Sequence, residues 1–467
     1  MRRSAGCVER AAVSPRSRKR RAAELAASVL RRGAYAAVLG AALAAIGAAR
    51  AAADPPPCDP IEAPRLAQLA PSEDPGVMGS HVGVAEGPIV SLAESPDEKV
   101  AQQAGGEVLL VLSKRPDGTL AHGYHLAPGA RIVDSFWSPV LCATVARVVG
   151  DPLADPYDLV VNLPSDAAVA PNHIYTSAAN RVEPAPKPAP DSYRGLQYAL
   201  DQLGVDAARA VSKGAGVRVA VLDSAPQTDH PDLPPVRIAP IVGGPRGVGV
   251  HGTLMTGVIA AIPDNGFGIA GIAPAAEVIA IPVCTPLGAS PRDSCGLFDL
   301  LRGLDRAWKE HAQVLNLSLV GPVNPLLERE VNRLDDLGAI VVAAAGNEGV
   351  DDARYPAAYP SVVGVGAVDV NGARYQHSNG GPSAQIWAPG AEVLSTVPGG
   401  AFAFASGTSF AAAHVTGALA VLIGSGAAPD AARRALFQTA RSGAAPTPRV
   451  APLCGALGQL GHPCPIF

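Results

Sequence analysis

The sequence predicts an α/β protein, a mostly parallel sheet flanked by helices on both faces and preceded by a small α/β unit. Three observations carry this. Five near-continuous apolar runs, VRVAVL (217–222), EVIAIPV (277–283), VLNLSL (314–319), IVVAAA (340–345) and VVGVGAV (362–368), have the composition of strands buried on both sides. Between them, GLFDLLRGLDRAWKEH and PLLEREVNRLDDLG carry apolar residues at helical spacing, and Gly338 closes the second as a cap residue. Strands alternating with helices are the pattern of a parallel sheet. Ahead of a Pro-rich linker, RVEPAPKPAP, a shorter stretch holds the runs EVLLVL, RIVDSF, ATVARVV and YDLVVNL.

In chain order, residues 1–53 read as a signal peptide. Arg16, Arg18, Lys19, Arg20, Arg21, Arg31 and Arg32 precede a short apolar run from Ala34 to Ala49, and Ala49, Arg50 and Ala51 form an A-x-A-like cleavage site. The run is shorter than the ~20 residues that span a bilayer, so a cleaved leader is expected rather than an anchor, and the mature form keeps no membrane span. The pair Arg31-Arg32 points to twin-arginine export. Residues 54–106 are Pro-rich with poor periodicity and read as loosely ordered. Residues 107–180 follow as the small α/β unit and 181–191 as an exposed linker in extended polyproline geometry. Residues 192–441 form the large domain, and 442–467 a C-terminal tail with a disulfide.

A formal net charge of -4 and a pI near 6.2 supply no field for nucleic acid or an anionic membrane, so neither is expected as a partner. Seven cysteines become six when the leader takes Cys7. In an oxidising compartment the local pairs Cys284 with Cys295 and Cys454 with Cys464 close short loops, leaving Cys58 with Cys142. No C-x-x-C occurs, which argues against zinc. Gly247, Gly249 and Gly252 satisfy G-x-G-x-x-G, but no acidic residue follows a second strand about twenty residues on, which argues against dinucleotide binding.

In open α/β sheets chemistry sits where strands end. Asp223 follows VRVAVL, Asn347 follows IVVAAAG, His251 opens the helical stretch HGTLMTGVIAAI, and Ser409 begins a long Ala/Leu/Val helix. A serine hydroxyl needs an imidazole to take its proton, and a carboxylate fixes that imidazole's tautomer. Asp223, His251 and Ser409 supply these types. An Asn side chain beside the backbone N–H of a helix-start serine can stabilise an oxyanion, which nominates Asn347 with Ser409, and the helix dipole adds to it.

The blocks VRVAVLDSAPQTDHPDL, HGTLMTGVIAA, NLSLVG, AAAGNEG and SGTSFAAAHVTG resemble, in character and order, those of the subtilisin-like serine peptidases, over about Leu196 to Arg441. The resemblance implies a serine endopeptidase with Asp223, His251 and Ser409 as triad and Asn347 as oxyanion donor. It implies polypeptide substrates lying as an added strand against Ser318, Leu319, Val320 and Gly321 on one side and Ala343, Ala344, Ala345 and Gly346 on the other. It makes the 107–180 unit, ending AVAPNHIY, similar to an inhibitory prodomain released by cutting near the Pro-rich linker, and the protein a secreted or periplasmic monomer. No cofactor is required; a structural calcium between Asp232 and Asn265 is the one ion the resemblance implies.

Two departures bear on the site. The family usually carries Gly two residues after the triad Asp, whereas here the run is Asp223-Ser224-Ala225-Pro226; a position needing φ > 0 would be strained by Ala225. That motivates a rival reading, a catalytically weak peptide-binding homologue. Ala413 stands where Pro usually precedes His414 and should suit a helix well. His414, within an apolar helix, reads as structural, and Asn316 and Ser318 as groups that satisfy backbone at a strand end.

Overall fold

A computed structural model describes residues 103–113, 120–164, 167–179, 182–184, 193–287, 292–441 and 450–465. The predicted leader, the Pro-rich segment up to residue 102 and most of the linker lie outside the described residues. The N-terminal unit is built on strands β1 (Gln103–Ser113), β2 (Arg131–Ser138), β3 (Ala143–Val149) and β4 (Ala167–Ser177), all antiparallel, with β1 between β3 and β4. Among the described residues it holds no α-helix, only one 3-10 turn at Pro156–Leu159, so the expected α/β character of this unit is corrected to β. The cause is visible in β1, whose side chains are apolar on both faces. Val108, Leu110 and Leu112 fill a small core of the unit's own, while Leu109 and Val111 join a core of the large domain.

Residues 182–184 of the predicted linker form a short strand, β5 (Val182–Pro184). After the short helices α1 (Tyr198–Leu203) and α2 (Val205–Arg209), β6 (Arg218–Asp223) enters the central sheet. Helix α3 (Val250–Ala260), β7 (Glu277–Pro282), β8 (Asp293–Gly296), α4 (Leu297–Lys309), β9 (Val314–Leu317), β10 (Leu319–Val320), α5 (Pro325–Asp336), β11 (Ile340–Ala344), β12 (Val363–Val368) and β13 (Ile386–Pro389) follow. The seven-stranded sheet has the order β13-β12-β11-β9-β6-β7, closed at the edge by Arg237–Ile238, and every pair in it is parallel.

Strand alternation assigns each side chain to a layer. Val219 and Val221 of β6 face one core, Ala220 and Leu222 the other. The first core is closed by α3 and by α6 (Thr408–Gly424), α7 (Pro429–Arg441) and α8 (Leu453–Gln459); the second by α4 and α5. Helix α6 is buried from Thr408 through Ile423, and a helix apolar all round must be enclosed, here by α3, β9, β11 and β12. Asn324 caps α5 by accepting from Leu326 N at 3.0 Å and Leu327 N at 3.3 Å, with Pro325 next, and Gly338 ends that segment at φ 84°. The predicted C-terminal tail includes α8, whose Leu453, Ala456 and Leu457 are buried in the first core.

Disulfides Cys284–Cys295 and Cys454–Cys464 are formed as their spacing suggested. Cys142 is also disulfide-bonded, and its expected partner Cys58 lies outside the described residues. Among the described residues no helix is long and apolar enough to cross a membrane.

Candidate active site

Asp223 is the last residue of β6 and is wholly buried. Its Oδ1 accepts from Ser224 N at 2.8 Å, and its two oxygens lie 2.9 and 2.8 Å from His251 Nδ1. His251 is the second residue of α3, and that helix is held by β14 (Val393–Val397), where Ser395 Oγ donates to Leu254 O and Thr396 Oγ1 to Thr253 O. With Nδ1–H donated to a carboxylate, the opposite nitrogen, Nε2, is left as the acceptor; it is buried and has no hydrogen-bond partner. Burial pushes the His251 pKa down, but the charge and hydrogen bond of Asp223, with the charge of Asp293, outweigh it, so the net direction is up.

Ser409 stands in the first turn of α6, and its hydroxyl donates to Ser318 O at 3.2 Å. Ser318 Oγ in turn donates to Ser409 O at 3.0 Å. Asn347 has its orientation set by Thr408 N, which donates to its Oδ1 at 2.9 Å. Its Nδ2 then donates to Ala178 O at 2.7 Å, and Ser409 N donates to the same oxygen at 3.3 Å. Gly407, before α6, sits at φ 154°, where a Cβ would come within 2.4 Å of that carbonyl. Glycine is therefore needed for the approach. An unprotonated imidazole nitrogen, a serine hydroxyl and two N–H donors on one carbonyl oxygen are the parts of acyl transfer.

The family Peptidase_S8, subtilase family, matches residues 214–456, just over half of the chain. Thermitase of Thermoactinomyces vulgaris is 33% identical over 258 residues, spanning 53% of this chain and 89% of its own. Subtilisin BL of Lederbergia lenta is 41% identical over 213 residues, 45% of this chain and 77% of its own. Subtilisin E of Bacillus subtilis (strain 168) is 34% identical over 244 residues, 49% of this chain and 61% of its own. The chain belongs to the subtilase family. It is a serine-type endopeptidase.

In this subtilase the sequence-predicted Asp223, His251, Ser409 and Asn347 are brought to one end of the parallel sheet. Ala225 is absent from the residues with positive φ and bridges Val248, its carbonyl accepting from Gly249 N at 2.8 Å, so the loop after Asp223 carries no glycine-type strain. His414 Nδ1 donates to Pro389 O at 3.0 Å, and burial lowers its pKa to about 4, as suits a structural neutral imidazole. Asn316 Nδ2 donates to Ser318 Oγ and its Oδ1 accepts from Thr416, which stiffens the strand end.

Of the two segments named for an added strand, β4 lies against the first. Strand β4 pairs antiparallel with β10, Leu319 opposite Ser177 and Val320 opposite Thr176, and Gly321 gives room to the Tyr175 ring. On its other side β4 pairs with β8, Ser294 opposite Thr176 and Cys295 opposite Tyr175. Ala343 and Ala344 are buried and end β11, paired with Gly364 and Val365, Ala345 N donates to Val365 O, and Gly346 N donates to Thr408 Oγ1. The pairing with β8 was not anticipated: its four residues DSCG have no apolar run, and Cys295 among them is the one local signal.

Asp293, first in β8, is also unanticipated. It is fully buried, and its carboxylate, that of Asp223 and His251 each offer an atom within 4.8 Å of the others. Burial, then repulsion from Asp223, raises its pKa to about 6, against the pull of His251, Ser224 and Leu287. Above that pH its negative charge favours the imidazolium. Asp293→Asn is therefore expected to lower the His251 pKa and move the acid limb of the kcat/KM profile to lower pH. A pH–rate series on both proteins checks this, and an unmoved limb would count against it.

Asp232 and Asn265 do meet, but as a protein clasp: Asn265 Nδ2 donates to Asp232 Oδ1 and Ile269 N to Oδ2, each at 2.8 Å, while Asn265 Oδ1 accepts from Phe267 N. Calcium needs six to eight oxygens. An asparagine turned amide-first toward its carboxylate does not suit that cage.

Proposed function

We infer that this endopeptidase cuts polypeptides by acyl transfer from Ser409, and that it is exported as a precursor that processes itself. The observation that carries the reading is the doubly held backbone carbonyl, together with a buried histidine whose Nε2 has no hydrogen-bond partner and can accept. For turnover the Ser409 hydroxyl, which donates to Ser318 O, turns its proton to His251 Nε2 instead. Its oxygen adds to the substrate carbonyl as its proton passes to Nε2, and Asp223 stabilises the charged ring. Asn347 Nδ2 and Ser409 N take the oxyanion. His251 then protonates the leaving amine, and water repeats the sequence to free Ser409. Substrate is recognised largely by main chain between β8 and β10, which tolerates many sequences. The leader sequence and the extracellular setting that the disulfides require support export.

A fluorophosphonate probe on the processed protein is expected to label Ser409 and to lose the label in Ser409→Ala. A folded, processed chain that takes no label at Ser409 would overturn the reading.

A further inference from the structure

We propose that the first bond this enzyme cuts is its own Ala178–Ala179 peptide bond, an inference that rests on the roles given to Ser409, His251 and Asn347 above. Residues 167–179 traverse the cleft as a substrate would. Strand β4 is held on one side by β8 and on the other by β10, so its last residues are the middle strand of three. The ladder ends at Ala178, whose N–H donates to Ser318 O at 3.0 Å. Its carbonyl accepts from Asn347 Nδ2 at 2.7 Å and from Ser409 N at 3.3 Å. Among the described residues no other carbonyl receives both donors.

Register decides which bond is presented, because a slip of one residue would turn every side chain of the strand to the opposite face. Three contacts oppose a slip. Tyr175 is fully buried, and its hydroxyl donates to Pro322 O at 3.1 Å. Its ring occupies the space over Gly321, where a Cβ would approach to 2.3 Å. Ser177 Oγ accepts from Asp293 N at 2.8 Å. On the far side of the bond, β5 pairs with β15 (Ala401–Ala405), Val182 opposite Ala405 and Pro184 opposite Ala403. The chain is thus tethered to the catalytic domain before and after Ala178–Ala179, and the second tether is itself part of the Pro-rich stretch near which cutting was expected.

The step balances without a co-reactant other than water. Ser409 Oγ adds to the Ala178 carbonyl carbon, its proton passes to His251 Nε2, and the C–N bond to Ala179 breaks as that nitrogen takes the proton. Water then hydrolyses the ester, giving an Ala178 carboxylate, an Ala179 amine and free Ser409. The N-terminal product keeps the β4 ladder and the Tyr175 anchor, so it remains in the cleft as an inhibitor.

The test is a time course on purified full-length precursor, read by intact mass. Expected are an N-terminal fragment ending at Ala178 and a partner beginning at Ala179, formed at a first-order rate independent of protein concentration, and no cut in Ser409→Ala. Ala179→Pro, which leaves the Ser409 groups untouched but misplaces the scissile peptide, is expected to slow this cut about 100-fold. First fragments ending elsewhere, with Ser409 still labelled by fluorophosphonate, overturn the bond while leaving the peptidase reading intact. Absence of both cleavage and label overturns the underlying reading, and cleavage at Ala178 in Ser409→Ala overturns self-processing.

Discussion

His251→Ala is expected to lower the rate of precursor self-cleavage by about 10^6-fold, the size of loss in kcat that subtilisin shows when its histidine is removed. The variant retains the two donors on the Ala178 carbonyl but no group that can take the Ser409 proton. Asp223 does not replace it, since its Oδ1 is already occupied by Ser224 N and its other oxygen is buried. Removing one member of a buried pair also leaves the other uncompensated, at a cost of about 3–5 kcal/mol, so the variant's thermal midpoint should be measured beside its rate. A folded variant that cuts itself within about 100-fold of the parent would remove His251 from the reaction, because oxyanion donors alone supply only about 10^3–10^4 over water.

The catalytic domain was legible where burial writes itself into composition. Strands β6, β7, β9, β11 and β12 are covered on both faces, so their sequences are nearly all apolar and their ends nearly unambiguous. Asp223 and Asn347 could be found because each polar residue closes such a run. The same signal fails in the N-terminal unit. A strand with Val108, Leu110 and Leu112 on one side and Leu109 and Val111 on the other shows no alternation, and nothing in it separates an all-β unit from a mixed one. Helix α8 was hidden for a different reason: LCGALGQ has two glycines and seven residues, a weak helix alone, held by burial against its neighbours and by Cys454–Cys464.

What remained illegible belongs to pairing between distant segments. Asp293–Gly296 becomes a strand because Ile174, Tyr175 and Thr176 lie against one side of it and Thr285 and Pro286 against the other, and Ala178 matters through its carbonyl, which any residue would supply. Side-chain identity carries no trace of either. The departure at Ala225, which sequence alone made the weakest point of the site, turns out to be backbone pairing as well: the Ala225–Val248 bridge fixes the loop in a conformation open to a residue with a Cβ.

Asp223→Asn then isolates what the carboxylate does, since it preserves size and leaves the loop intact. Its Oδ1 would still accept from Ser224 N, which turns the amide Nδ2 toward His251 Nδ1. A donor at that place selects the tautomer with its proton on Nε2, the nitrogen that must accept from Ser409. The expected loss in kcat is about 10^4-fold, with KM little changed because β8 and β10 still hold the substrate strand. Asp293 sharpens the test. It lies close enough to stabilise the imidazolium by charge, but makes no hydrogen bond to the ring and so has no hold on the tautomer. If charge near His251 were the whole contribution of Asp223, Asp293 would cover part of the loss and kcat would fall by about 10-fold or less. A fall near 10^4-fold, measured with a peptide amide on the processed variant, assigns to Asp223 the placement of a proton on Nδ1, and to Asp293 only the pH at which the ring titrates.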